Sequence, residues 1–555
     1  MSTLVKLTQG RIYDPANGVD GEVRDLYIED GRLVAPPRDG RRPAQEFDLK
    51  GRVIMAGAID LHTHIGGGKV NIARMMLPED HAASLVSGER HPHAGCGHAA
   101  PATRTAGYRY AEMGYVACFE PAMLPANARQ AHMEMADTPM VDKGAYALLG
   151  NDDFLLRALR DKRSSGFIRD YVAWTLNAAQ ALAIKVVNPG GINAFKFNQR
   201  KLDLDERNSA YGVTPRDILL ALANAVRELG LAHPLHIHGC NLGVPGNFET
   251  TLNTIHALEG LRAHLTHVQF HSYGSEGDRK FSSGAAQIAE AVNRHHNISL
   301  DVGQIMFGRT VTESSDSMRQ YAGSAFADPK KWVGMDIECD AGCGVVPFRY
   351  RNQNFVNALQ WAIGLELFLQ VDDPWRIFLT TDHPNGAPFT CYPHLIRLLM
   401  DKSFRNDMLA TLHPEAAAAT TLGALDREYS LYEIAILTRA APARSLGLSG
   451  FGSLAVGAPA HITVYRDDAD REKMFSTPEL VFKNGQLIVR EGRVVEEVWG
   501  TTHVVHPDYD RAIEHELDQY FERYMTVRKD NQRLADDEIR DGGRGALEVH
   551  ATRPA

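Results

Sequence analysis

Between Ile54 and Thr381 the chain alternates between short apolar runs and stretches of helical periodicity, and this alternation limits the fold more than any other feature. The first run ends in Asp60-Leu61-His62-Thr63-His64, and further runs fall at 115–120, 145–149, 184–188, 235–238, 264–269, 298–302 and 377–382. Helices are signalled between them. Thr214 and Pro215 supply a capping residue and a first-turn proline, Gly230 supplies a stop, and 285–295 and 354–371 are further helices. Strands alternating with helices require a parallel sheet, and eight such repeats close it into a TIM-like (β/α)8 barrel of the α/β class. Long excursions at 64–110 and 303–375 follow barrel strands and are expected on the catalytic face, as lids or partner surfaces.

The flanks read differently. Residues 3–53 alternate with period two, carry a turn at Asn17-Gly18 and form a hairpin over 25–34. Strand character returns at 452–457 and 462–465, followed by a hairpin on Asn484-Gly485. We expect these two segments to join in one composite β-sandwich. The domains are then 1–53 and 448–500 for the sandwich, 54–447 for the barrel, and 501–555 for a helical and extended C-terminal arm. The arm has an amphipathic helix over 509–525 and a charged tail, which is either disordered or wraps a partner.

Composition excludes several classes. At 555 residues the chain is too long for one small core, and its net charge of −10 without a basic patch argues against a nucleic-acid surface. No apolar run approaches the roughly 18 residues of a membrane span, and residues 1–9 lack the pattern of a secretion signal. The six cysteines are scattered, which fits a reducing cytosol, so a cytoplasmic location is expected.

A barrel gathers the C-terminal ends of its strands into one mouth. There the sequence places His62 and His64, whose spacing suits a shared metal ion, then Lys185 inside an apolar run, His236 and His238, His264, His267 and His271, and Asp382. A charged ammonium buried in a barrel is costly, and a lysine made neutral by burial can capture carbon dioxide as a carbamate that bridges two cations. Lys196 is the rival for this role. The ligand-rich stretch 91–98 lacks the spacing of a structural zinc motif and reads as a lid or interface loop, and Cys339 and Cys343 read as core or loop cysteines. Arg109 and Lys69 either hold substrate carboxylates or form ordinary ion pairs.

These residues resemble the amidohydrolase superfamily, through His62-Thr63-His64 after an apolar strand, the mid-chain lysine, His238, His267, Thr381-Asp382-His383-Pro384 and the split β-sandwich. Longer stretches look like the A-type subunits of the formylmethanofuran dehydrogenase family, which also occur in formyltransferase/hydrolase complexes: 107–115, 184–191, 246–251, 266–274 and 360–364. The resemblance implies two zinc ions. His62 and His64 would bind the first, Lys185 as its carbamate would bridge, and His238 and His267 would bind the second, with His271 as the alternative ligand on that strand. Asp382 would bind the first zinc and carry the proton. The implied reaction is hydrolysis of an N-formylmethanofuran-type carrier to formate and the free amine, beside a formyltransferase subunit. The alternatives are a component of a formylmethanofuran dehydrogenase, a stand-alone cyclic amidohydrolase of the dihydroorotase or hydantoinase kind, and a non-catalytic scaffold.

Overall fold

Gly57 divides the apolar run before the two histidines between two sheets. Arg52–Ala56 pairs in parallel with Val5–Asp14 and antiparallel with Ile462–Arg466, whereas Ala58–Asp60 pairs with Tyr115–Met123. The sequence pattern reads this run as one strand; both sides of Gly57 must be apolar, and apolarity does not say which sheet a residue joins. Alternation does the sorting: Val53 and Met55 face the large barrel core, while Ile54 and Ala56 face a second, smaller core with Leu7, Ile12, Ile462 and Phe482. A Cβ at Gly57 would lie 2.5 Å from the methyls of Val116, so the crossing between sheets leaves no room for a side chain.

The computed structural model describes residues 4–38, 40–76, 99–191, 202–312, 337–338, 344–540 and 545–553. The stretch 91–98, Lys196, Cys339 and Cys343, and the side chain of Lys69 lie outside the described residues.

The barrel strands are Ala58–Asp60, Tyr115–Met123, Asp142–Leu149, Ala183–Val187, Leu235–His238, Ala263–Leu265, Ile298–Asp301 and Ile377–Phe378, parallel and adjacent in chain order. The ring closes through a parallel bridge between Thr63 and His383, with the His64 amide donating to the His383 carbonyl at 2.9 Å. Helices lie between the strands where their signals stand. Pro215–Glu228 starts on a reciprocal capping box of Thr214 and Asp217, and Phe355–Gln370 starts on the Asn354 side chain. The sixth and eighth strands stop well short of the ends of their apolar runs, at Leu265 and Phe378. The sixth stops at Leu265, because His267 turns left-handed and leads into a 3-10 turn, Val268–His271.

The composite β domain is a single nine-stranded sheet built from both ends of the chain. Its joint to the barrel is the helical segment spanning Leu431–Ala435, Ile436–Ala440 and Ala441–Leu446, whose middle part is a π turn. From that turn the buried Arg439 donates to the Ala56 carbonyl at 3.1 Å and to the Tyr465 hydroxyl at 2.7 Å.

The described residues of the C-terminal segment are ordered against the chain's own barrel, which departs from the expectation of a disordered tail. Thr501–Val505 pairs with the start of Asp142–Leu149 at Lys143, and Ala546–His550 pairs with Thr501–Val505, extending the barrel sheet to ten strands. The helix Ala512–Tyr524 buries Ile513, Leu517 and Phe521, an apolar stripe sufficient to seat it on the chain's own core. Among the described residues, no helix is long and apolar enough to cross a membrane.

Candidate metal centre

The strand ends deliver polar side chains to one buried mouth. His62 and His64 follow the first strand, Glu120 lies in the second, Lys185 in the fourth, His238 ends the fifth, and His267 and His271 follow the sixth. Asp301 ends the seventh and Asp382 follows the eighth. His267 at φ +36°, Asp382 at φ +51° and Asn188 at φ +43° adopt left-handed backbone, which re-aims the chain as it leaves a strand. Gly303 makes one of these turns possible: a Cβ there would lie 2.3 Å from the Cβ of His267.

Three sets of ligand atoms result there among the described residues; one is His62, His236 and Asp301, and the other two are the candidate metal sites. His62, His64 and Asp382 each offer one atom within 4.8 Å of the others, and so do His238, His267 and His271. In the first set, Nε2 of His62 lies 2.8 Å from Oδ1 of Asp382, and Nε2 of His64 lies 3.4 Å from the same oxygen. In the second, the ring centroids of His238 and His267 are 4.5 Å apart, and those of His238 and His271 are 5.2 Å apart. The structure thus brings His267 and His271 to the same point, where the sequence offered them as alternatives.

Lys185 is buried, and its charge is felt at His267 and His271 of the second set. It lies opposite His236 in the strand ladder. Burial pushes the proton affinity of His267 well below the ordinary imidazole range and that of His271 down to about 3, and the charge of Lys185 acts in the same direction on both. At Asp382 burial alone would raise the carboxyl, but the imidazoles of His62 and His267 outweigh it and hold the carboxyl well below its usual range.

The donor set fits divalent cations. Nδ1 of His267 and both ring nitrogens of His271 are buried and have no hydrogen-bond partner among the described residues. Buried ring nitrogens left unpaired are costly, and imidazoles kept neutral with converging lone pairs are what a zinc ion requires.

Partners behind the ligands orient them. Nδ1 of His64 lies 2.8 Å from Oε1 of Glu120, whose other oxygen accepts the amides of Ile65 at 2.9 Å and Gly66 at 3.3 Å. Nδ1 of His62 lies 2.8 Å from Nε2 of His236, whose Nδ1 lies 3.0 Å from Nε2 of His233. Asp301 accepts the His267 amide at 2.9 Å and the Thr380 hydroxyl at 2.8 Å, and lies 3.0 Å from Nε2 of His264. Asp60 accepts the Tyr110 hydroxyl at 2.7 Å and the Tyr392 hydroxyl at 2.5 Å. Such contacts fix the ring tautomer and leave the opposite nitrogen for a metal. Sequence reasoning gave no role to Glu120, Asp301 or Asp60; the available signal was a carboxylate within each apolar run. Arg109, considered for substrate carboxylates, is buried on the helix Thr103–Glu112 with its charge felt at His383.

A barrel of eight parallel strands, a composite β domain and a His/Lys/Asp mouth whose side chains could hold metal ions together describe a hydrolase of the amidohydrolase type. Residues 45–495 match the model of the amidohydrolase family, and the chain belongs to that family. Over 524 residues it is 45% identical to the FhcA component of the formyltransferase/hydrolase complex of Methylorubrum extorquens, covering 94% of each chain. It is 39% identical over 557 residues to the protein FwdA of Methanocaldococcus jannaschii, covering 96% of each. The fold matches a chain of the crystal structure of the M. extorquens FhcABCD complex with methylofuran at a TM-score of 0.90 and 43% identity, covering 99% of this chain and 100% of that one.

Proposed function

We propose that this chain hydrolyses the formamide of an N-formylmethanofuran-type carrier, releasing formate and the free amine, as the hydrolase component of a formyltransferase/hydrolase complex. The observation that carries the reading is the pair of ligand sets at one mouth, with the buried Lys185 close enough for its charge to be felt at the second. The match to FhcA along nearly the whole chain supports the substrate class and the formyltransferase partner.

His62, His64 and Asp382 would hold one zinc ion, and His238 and His267, with His271 beside them, would hold the second. Bound there, the ions supply Lewis acidity: they lower the pKa of water to near neutrality and polarise a carbonyl. Lys185, as the neutral amine, would add to carbon dioxide and release a proton, giving a carbamate whose negative charge would balance bound cations. Its negative charge relieves the burial of an ammonium. Asp382, low in proton affinity but adjacent to both sets, accepts the proton of the attacking water and passes it to the amine nitrogen as the C–N bond breaks. Glu120 and His236 keep the His64 and His62 rings in register throughout.

The likeness to FwdA favours a second reading, in which the same site serves a formylmethanofuran dehydrogenase. Purification with native partners separates the two: a formyltransferase without tungsten or molybdenum supports the hydrolase, and either metal supports the dehydrogenase. Formate release from an N-formylmethanofuran analogue is then compared with turnover of dihydroorotate and hydantoin. Turnover of the rings but not of the formyl amine would make the chain a cyclic amidohydrolase. Lys185→Ala should abolish binding of both zinc ions, and Lys196→Ala should leave them in place; the reverse result would move the bridging role to Lys196.

A further inference from the structure

A further set of metal-ligating side chains lies at the opposite end of the barrel, where the proposed hydrolysis does not use it. The parallel pairing of Thr501–Val505 with Ala546–His550 sets His503 opposite Glu548 and Val505 opposite His550. Side chains two apart on a strand share a face, so Glu548 and His550 both turn toward His503. One ligand atom from each of His503, Glu548 and His550 lies within 4.8 Å of the others. Nδ1 of His503 is 2.8 Å from Nε2 of His550 and 3.7 Å from Oε2 of Glu548. Ligands of a tetrahedral zinc ion stand about 3.3 Å apart, given metal–ligand bonds of about 2.0–2.1 Å. The observed spacings bracket that value and need shifts of only a few tenths of an ångström.

The surroundings prepare the same nitrogen. Nε2 of His503 faces Oδ2 of Asp142 at 4.0 Å and has no hydrogen-bond partner at that distance. Asp142 is fixed as an anion by Lys483 at 2.7 Å and by the Thr501 amide at 2.7 Å. An anion on that side draws the ring proton to Nε2 and leaves the lone pair of Nδ1 directed at His550 and Glu548. The Glu548 side chain is 53% exposed, which leaves the outer position to water. Two imidazoles and one carboxylate select zinc or a similar transition metal over magnesium or calcium.

We propose that His503, Glu548 and His550 bind one divalent transition-metal ion, zinc fitting best, which fastens the last strand of the chain to the floor of the barrel. Binding adds a side-chain link to the strand ladder that joins Thr501–Val505 to Ala546–His550.

The test uses the full chain in its complex, with Zn2+ and Co2+ as probes, comparing wild type with Glu548→Gln and His550→Gln. After equilibration against buffered zinc, wild type should retain one zinc per chain more than either variant, with formate release unchanged. One equivalent of Co2+ should give visible absorption bands that Glu548→Gln weakens at least about tenfold in affinity. Zn2+ should also slow amide exchange over 546–550 in wild type only. Equal zinc content and equal exchange in all three proteins would overturn the proposal and leave the His503–His550 contact as a plain hydrogen bond. Because Glu548 is half exposed, Glu548→Gln decides the matter even if His550→Gln fails to fold.

Discussion

The two ends of the barrel both bury carboxylates beside imidazoles, and they meet the cost of that burial in opposite ways. At the floor, Asp142 has Lys483 at 2.7 Å, the Thr501 amide at 2.7 Å and His461 at 3.7 Å. Nearby Lys143 donates to the Thr138 carbonyl at 2.8 Å. The charge of Asp142 is answered by protein groups, and Nε2 of His503, 4.0 Å away, is the ring nitrogen left without a hydrogen bond there among the described residues. At the mouth, Asp382 meets His62 and His64, but His267 and His271 keep ring nitrogens with no partner among the described residues. The backbone there is also held left-handed at His267 and Asp382. A buried polar cluster that is complete in protein is a joint; one that is complete only with a cation is a site.

That contrast predicts different losses at the two ends. The largest belongs to the mouth: Asp382→Asn should lower formate release by about 10²–10⁴-fold with little change in unfolding midpoint, read by steady-state kinetics beside denaturant titration. An equal loss of stability would make Asp382 a joint and break the distinction. At the floor the order reverses. Lys483→Met leaves Asp142 buried without its cation and should cost about 3–5 kcal/mol of stability, while zinc at the mouth stays unchanged.

A third prediction concerns acid. His132 lies toward the floor with Nε2 3.0 Å from the Ala179 carbonyl, and burial lowers its pKa from 6.5 to about 4. The folded state therefore resists taking a proton that the unfolded chain accepts. The stability this adds is complete above pH 6.5 and is lost as pH falls from 6.5 to about 4. His132→Gln should flatten that part of the stability profile by roughly 3 kcal/mol. Unfolding midpoints at pH 7 and pH 4.5 that fall equally in both proteins would contradict it. The smallest effect is at the mouth: Gly303→Ala pushes on the Cβ of His267 and should weaken the second zinc and slow turnover about tenfold, where a neutral result would show that the His267 turn has slack.

Much of the mouth is legible in the sequence because the candidate ligands sit at the ends of apolar runs, and a barrel turns each such end toward one place. That rule alone singles out His62, His64, His238 and Asp382; it offers His267 together with His271, and Lys185 beside Lys196. Their supporting partners are not found by it. Glu120 reaches His64, and His236 reaches His62, across separations in sequence that no local pattern encodes. Lys185 and Lys196 both follow apolar residues, and only the family likeness separates them. The split at Gly57 is hidden because both halves of the run are buried. The C-terminal segment looks like a charged tail because its strand Ala546–His550 lies at a sheet edge, with residues such as Val549 exposed.

The most direct measurement is anomalous scattering at the zinc edge from crystals of the complex, with the density at Lys185 read in the same map. The account predicts two peaks at the mouth, one beside His62, His64 and Asp382 and one beside His238, His267 and His271, with a carbamate on Lys185 between them. A mouth without peaks around an unmodified lysine would contradict it.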